Sequence, residues 1–144
     1  MKNKSTNITH IILETFRLNG RLLTQGNELV KDLEITSARW QVLGALFYAN
    51  TPLTVPEIAY DMGLSRQAVQ RLVNEMRTDG LLATIENINH KRSKRIELTE
   101  HGKNIFDRAM ERQTQWAEFL ANGLDKNDLN TALKVMTLLR HKLE

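Results

Sequence analysis

Apolar residues in the first part of the chain recur at three- and four-residue steps. Ile8, Ile11, Ile12, Phe16, Leu22, Leu23, Leu29 and Val30 would share one face of a long helix between Ile8 and Leu33. Thr36 stands at an N-cap position ahead of Trp40, Leu43, Leu46 and Phe47, and Thr51-Pro52 breaks the pattern after Asn50, which predicts a second helix. Boundary signals are densest just beyond. Thr54-Val55-Pro56-Glu57 is a capping box with proline in the first turn, and Leu53 and Ile58 stand at hydrophobic-staple spacing. A helix is predicted from Thr54, with Ile58, Ala59 and Met62 inward, ending at Gly63 where the left-handed conformation is cheap. One residue later Ser65 caps another helix, whose buried stripe is Val69, Leu72, Val73 and Met76, with Leu64 at staple spacing to Val69 and Gly80 as the stop.

The period then changes from about 3.6 to 2. Leu81, Ala83 and Ile85 alternate with Leu82, Thr84 and Glu86, and Ile96 and Leu98 alternate with Arg95 and Glu97, predicting two short strands joined by the loop Asn87–Lys94. Thr99 caps a long helix carrying Ile105, Phe106, Ala109, Met110, Gln113, Trp116, Ala117 and Leu120, which ends at Gly123. Asp125 opens a last helix with Leu129, Leu133, Met136, Leu139 and Leu143. Trp40, Trp116 and Phe16 are expected in a core.

Two short helices joined by a tight glycine turn hold the second at a steep angle to the first, a shape that can enter the major groove of DNA. Gln67, Gln70, Arg71 and Asn74 lie at i, i+3, i+4 and i+7, opposite the apolar stripe. Gln and Asn can bond adenine N6 and N7, and Arg can bond guanine O6 and N7, so these four are the expected base contacts. Ser65, at a helix N-terminus with unpaired N–H groups, suits a phosphate, and Arg66 and Arg77 add backbone contacts. A polar stripe alone is also what any amphipathic helix shows to water. Taken alone the stripe favours that plainer reading, and the hairpin reverses the weighting, because Asn87–Arg95 carries Lys91, Arg92, Lys94 and Arg95 and no acid. Arg92 is the expected minor-groove residue, with Lys91, Lys94 and Arg95 toward phosphates.

Composition narrows the alternatives. At 144 residues, 41% hydrophobic and 26% charged with 2 Pro, the chain suits one compact, mostly helical unit. With no cysteine, disulfides, thiolate zinc sites and thiol chemistry are excluded. No apolar run approaches the ~20 residues of a membrane span, so a cytoplasmic protein without membrane contact is expected. The net charge of +3 is smaller than the four charges of the hairpin, so positive charge is concentrated there. His10 and Glu14 share a helix face, but the other histidines are scattered, so no metal or other cofactor is expected. No catalytic constellation emerges, and the chain is not expected to be an enzyme.

Thr54–Leu82, the run Asn87-Ile88-Asn89-His90-Lys91-Arg92-Ser93-Lys94, and Leu98-Thr99-Glu100-His101-Gly102 together resemble the MarR family of bacterial transcription regulators. The wing is similar to that family's Asn-Pro-x-Asp-x-Arg-Ser pattern running into Leu-Thr-x-x-Gly. Ile88 stands where proline is usual, and His90 where an Asp commonly pairs with the wing arginine matched by Arg92. The resemblance implies a mainly α fold with a small β-hairpin wing: a winged helix-turn-helix at 34–102, flanked by dimerisation helices at 1–33 and 103–144. It implies a homodimer on a palindromic operator in double-stranded DNA, usually as a repressor, with a small aromatic or anionic effector held near Phe16, Arg39 and Trp40. The long apolar stripes agree, since a small winged head cannot cover them all; a two-fold partner would bury them, and the alternative is an intramolecular bundle. Two other readings stand beside it. One is a winged-helix module for protein or RNA contacts. The other is the winged domain of a methyltransferase, which requires a cofactor domain that 1–144 does not include.

Overall fold

The computed structural model describes residues 3–88 and 93–144. The order is α1 (Lys4–Val30), a 3₁₀ turn (Lys31–Leu33), α2 (Ser37–Ala49), β1 (Leu53–Thr54), α3 (Val55–Met62), α4 (Arg66–Thr78), β2 (Leu82–Ile85), β3 (Arg95–Leu98), α5 (Glu100–Ala121) and α6 (Lys126–Leu143). The chain divides into two compact units, 1–112 and 113–144, with the division inside α5.

Helix boundaries in the first unit fall where side chains satisfy the orphan backbone groups of helix ends. Thr36 accepts from the Arg39 amide at 3.2 Å, and Asn50, at φ 52°, closes α2 by donating to the Leu46 and Phe47 carbonyls. Thr54 and Glu57 form the reciprocal box: the Thr54 amide donates to Glu57 Oε1 at 3.0 Å, and the Glu57 amide to Thr54 Oγ1 at 3.3 Å. These bonds to Thr54, backbone first and hydroxyl second, hold the Glu57 carboxyl below its ordinary pKa.

The core gathers one stripe from each of α2, α3 and α4 together with the sheet and the start of α5. Leu43, Ile58, Val69, Val73, Met76 and Phe106 have essentially no exposed surface. Each such side chain contributes about 1.5–3 kcal/mol on burial. The apolar stripes expected on α3 and α4 are therefore the ones buried, with Met62 and Leu72 partly covered.

The sheet has three antiparallel strands in the order β1-β3-β2, one more than the predicted hairpin. Leu53 pairs with Ile96 and Thr54 with Arg95, while Leu82, Ala83, Thr84 and Ile85 pair with Leu98, Glu97, Ile96 and Arg95. The expected alternation from Leu81 fails at its first residue. Leu81 and Leu82 are both buried, because Leu81 still belongs to the end of α4, its amide donating to the Met76 carbonyl at 2.9 Å. Phe16 corrects another expectation: it is 69% exposed, since α1 buries only Gly26 and Val30.

In the second unit Gly123, at φ 81°, ends α5 as expected. Asp125 caps α6 by accepting from the Asn127 and Asp128 amides at 2.7 and 3.1 Å. No residue of α6 is buried. Among the described residues no helix is long and apolar enough to cross a membrane.

Candidate nucleic-acid interface

The reading head is positioned by two consecutive local stops. Gly63, at φ 67°, takes the left-handed conformation that a side chain would strain, and the Leu64 amide returns to the Ala59 carbonyl at 3.0 Å. Ser65 then accepts from the Ala68 amide at 3.1 Å and starts α4. Only Gly63 to Ser65 separate α3 from α4, and both helices pack on the same core.

With Val69, Val73 and Met76 inward, the opposite face of α4 is presented outward: Ser65, Arg66, Gln67, Gln70, Arg71, Asn74 and Arg77 are all exposed. Two pairs on this face are already joined. Gln70 Nε2 donates to Asn74 Oδ1 at 2.9 Å, and Arg71 Nε donates to Glu75 Oε1 at 3.3 Å. Glu75 was not singled out from the sequence, although its i+4 spacing from Arg71 marks it as a partner.

The second half of the site comes from the sheet. Lys94 is exposed immediately before β3. Arg95 lies in the central strand opposite Thr54 and Ile85, and its charge adds a smaller pull that lowers the Glu57 carboxyl. A cleft of about 470 Å³ joins the two halves: Arg66, Gln67, Gln70 and Arg77 of α4 face Ser93 and Lys94 of the wing across Val55, Pro56, Thr84 and Ile96. Its lining contains three cations and no carboxylate. None of those three cations has an ion-pair partner among the described residues. Lys91 and Arg92, expected to contact phosphate and minor groove, lie outside the described residues, as do Asn89 and His90.

Arg39 is placed differently from the other candidates. Its side chain is 18% exposed and is committed to α4, with Nη1 donating to Asp79 Oδ2 at 2.6 Å and Nη2 to Glu75 Oε2 at 3.5 Å. Trp40 is partly buried against the core. Two further clefts, of about 770 and 400 Å³, open on either side of α2, the larger lined by Tyr48, Tyr60, Glu57 and Asp61 over Gly44 and Ala45. Phe16, Arg39 and Trp40 line none of the three clefts.

Capped paired helices, an outward amide and arginine stripe, and a cationic wing cleft define a winged helix-turn-helix of the DNA-binding class. Residues 33–93 match the model of the MarR family. TcaR of Staphylococcus aureus, described as an HTH-type transcriptional regulator, is 30% identical over 139 residues, 92% of this chain and 89% of TcaR. The chain belongs to the MarR family of transcription regulators. Its fold matches that of mutant MarR from E. coli complexed with operator DNA, with a TM-score of 0.81, 20% identity and coverage of 96% and 99% of the two chains. CouR from Rhodococcus jostii bound to p-coumaroyl-CoA matches with a TM-score of 0.79, 21% identity and coverage of 90% and 91%.

Proposed function

We propose that this chain is a homodimeric transcription regulator that binds a palindromic operator and acts as a repressor. α4 would enter the major groove, and Gln67, Gln70, Arg71 and Asn74 would address base edges. Ser65, Arg66, Arg77, Lys91, Lys94 and Arg95 would hold phosphates, and Arg92 would enter the flanking minor groove. The observation that carries the proposal is the acid-free cleft between α4 and the wing, where Arg66, Arg77 and Lys94, without an ion-pair partner among the described residues, converge with Gln67 and Gln70. Unpaired cations facing one another repel, and a polyanion running through the cleft relieves that repulsion while the amides reach the bases.

Dimerisation is supported by apolar side chains that remain uncovered in each unit. Phe16 in α1 is exposed, and so are Phe119, Leu133, Met136 and Leu143 in the second unit. Exposed apolar surface on this scale marks an association face. Release by a small effector completes the proposal, supported by the p-coumaroyl-CoA held by CouR.

Selection of bound duplexes from a random pool tests the reading. An enriched palindrome with two half-sites spaced by whole helical turns is the expected result, together with a steep fall of affinity with salt. Enrichment of no motif, with binding indifferent to salt, would instead favour a module for protein or RNA contacts.

A further inference from the structure

Glu75 presents an acid on the face that is otherwise polar or basic, one helical turn after Arg71. On a surface meant to meet phosphate this residue is out of place, because a carboxylate there repels the backbone it approaches. Its two oxygens are used separately. Oε1 accepts from Arg71 Nε at 3.3 Å, and Oε2 accepts from Arg39 Nη2 at 3.5 Å. Arg39 in turn is anchored by its 2.6 Å bond to Asp79 and is mostly buried. A line of contacts therefore runs from the N-terminal turn of α2, through Arg39 and Glu75, to an arginine side chain that is 83% exposed.

We infer that Glu75 is a specificity-determining positioning residue, which aims Arg71 at a base edge and withholds it from the phosphates. The inference rests on the DNA-binding reading above. With 83% of its side chain in solvent, Arg71 has no wall to hold it, and a long flexible arginine would sample many rotamers and settle on the nearest phosphate. Engaging Nε fixes the plane of the guanidinium and leaves the two terminal nitrogens free, the pair that can meet guanine O6 and N7 together. The neighbouring carboxylate also offsets the arginine's charge, which weakens a phosphate contact more than a directional bond to a base.

The experiment compares base preference and salt dependence in Glu75→Ala and Glu75→Gln. Glutamine keeps an oxygen acceptor for Arg71 Nε and loses the charge, whereas alanine loses both. Arg39 keeps Asp79 in either variant, so the tie between α2 and α4 remains. In selections from a random duplex pool, Glu75→Ala should lose preference at one base pair per half-site by about tenfold, within the range a bidentate contact provides. Its salt slope on random duplex should steepen by about 0.9 as Arg71 takes a phosphate. Glu75→Gln should keep most of that base preference. Glu75→Met restores side-chain volume without the acceptor and gives the same readout as alanine should alanine lower stability. In an Arg71→Ala background none of these changes should matter at that base pair.

Unchanged preference in Glu75→Ala and Glu75→Met overturns the inference, and so does an equal loss in alanine and glutamine variants. A wild-type protein that enriches no motif would instead remove the DNA-binding reading itself.

Discussion

Arg112 forks onto Asp32, its Nη2 donating to Oδ2 at 2.7 Å and its Nη1 to Oδ1, while Nη1 also reaches the Leu29 carbonyl at 3.1 Å. One guanidinium thus closes the end of α1 and the following 3₁₀ turn against α5. The hydrogen bond from Arg112 is the largest cause of a lowered Asp32 pKa. A carboxyl held below its unfolded value stabilises the fold fully above that value, and the contribution is lost as pH falls through the lowered one. Urea unfolding from about pH 6 to about pH 3 should therefore show an acid limb that flattens in Asp32→Asn. An unaltered acid limb in that variant would assign the loss to other carboxylates.

Gly102 should tolerate no side chain. A Cβ there would lie 2.2 Å from the Leu81 carbonyl oxygen, a backbone atom that cannot step aside. The same turn is pinned by Thr99, whose hydroxyl donates to the Gly80 carbonyl at 2.6 Å and accepts the Gly102 amide at 3.0 Å. Gly102→Ala is expected to cost about 1–3 kcal/mol, read as a lower urea midpoint. These contacts give the Leu-Thr-x-x-Gly segment its physical meaning: it docks the start of α5 onto the end of α4.

Substitutions in the cleft should separate into two behaviours. Arg66→Ala, Arg77→Ala and Lys94→Ala each should weaken binding to all duplexes alike and reduce the salt slope by about 0.9, measured by titration over a range of salt. Gln70→Ala and Arg71→Ala should relax sequence choice more than they weaken binding to random duplex. Arg92→Ala should weaken binding chiefly where A·T-rich sequence flanks the site, and equal binding to all flanks would refute the minor-groove assignment.

Sedimentation at micromolar concentration should show a dimer. Leu133 in α6 is 67% exposed. At a two-fold interface it is buried twice, and at about 2 kcal/mol per side chain Leu133→Asp should raise the dimer dissociation constant by about a thousandfold. A wild-type monomer under those conditions would end the homodimer proposal.

What was legible in the sequence was local. Thr36, Thr54, Ser65 and Asp125 cap the helices expected of them, and Gly63 and Gly123 take the left-handed stops, because each feature is decided by residues within one turn. Most of the reading-head stripe followed from the same periodicity. What escaped was set by distant partners. β1 is two residues long and exists only because Leu53 and Thr54 meet Ile96 and Arg95, more than forty positions away. The pairing of Arg39 with Asp79 could not be read locally, because the two stand forty residues apart along the chain. Glu75 was passed over because its role depends on Arg39 as much as on the adjacent Arg71.

The bond between Gln70 and Asn74 also bears on how an operator would be decoded. Four residues of helix rise about 6 Å, close to two base-pair steps, so the joined amides span neighbouring letters and not one. Turning one amide to suit a new base turns its partner's donor and acceptor as well. Binding energies at those adjacent letters would then fail to add, and the operator would be described by a table of dinucleotides in place of independent letter weights.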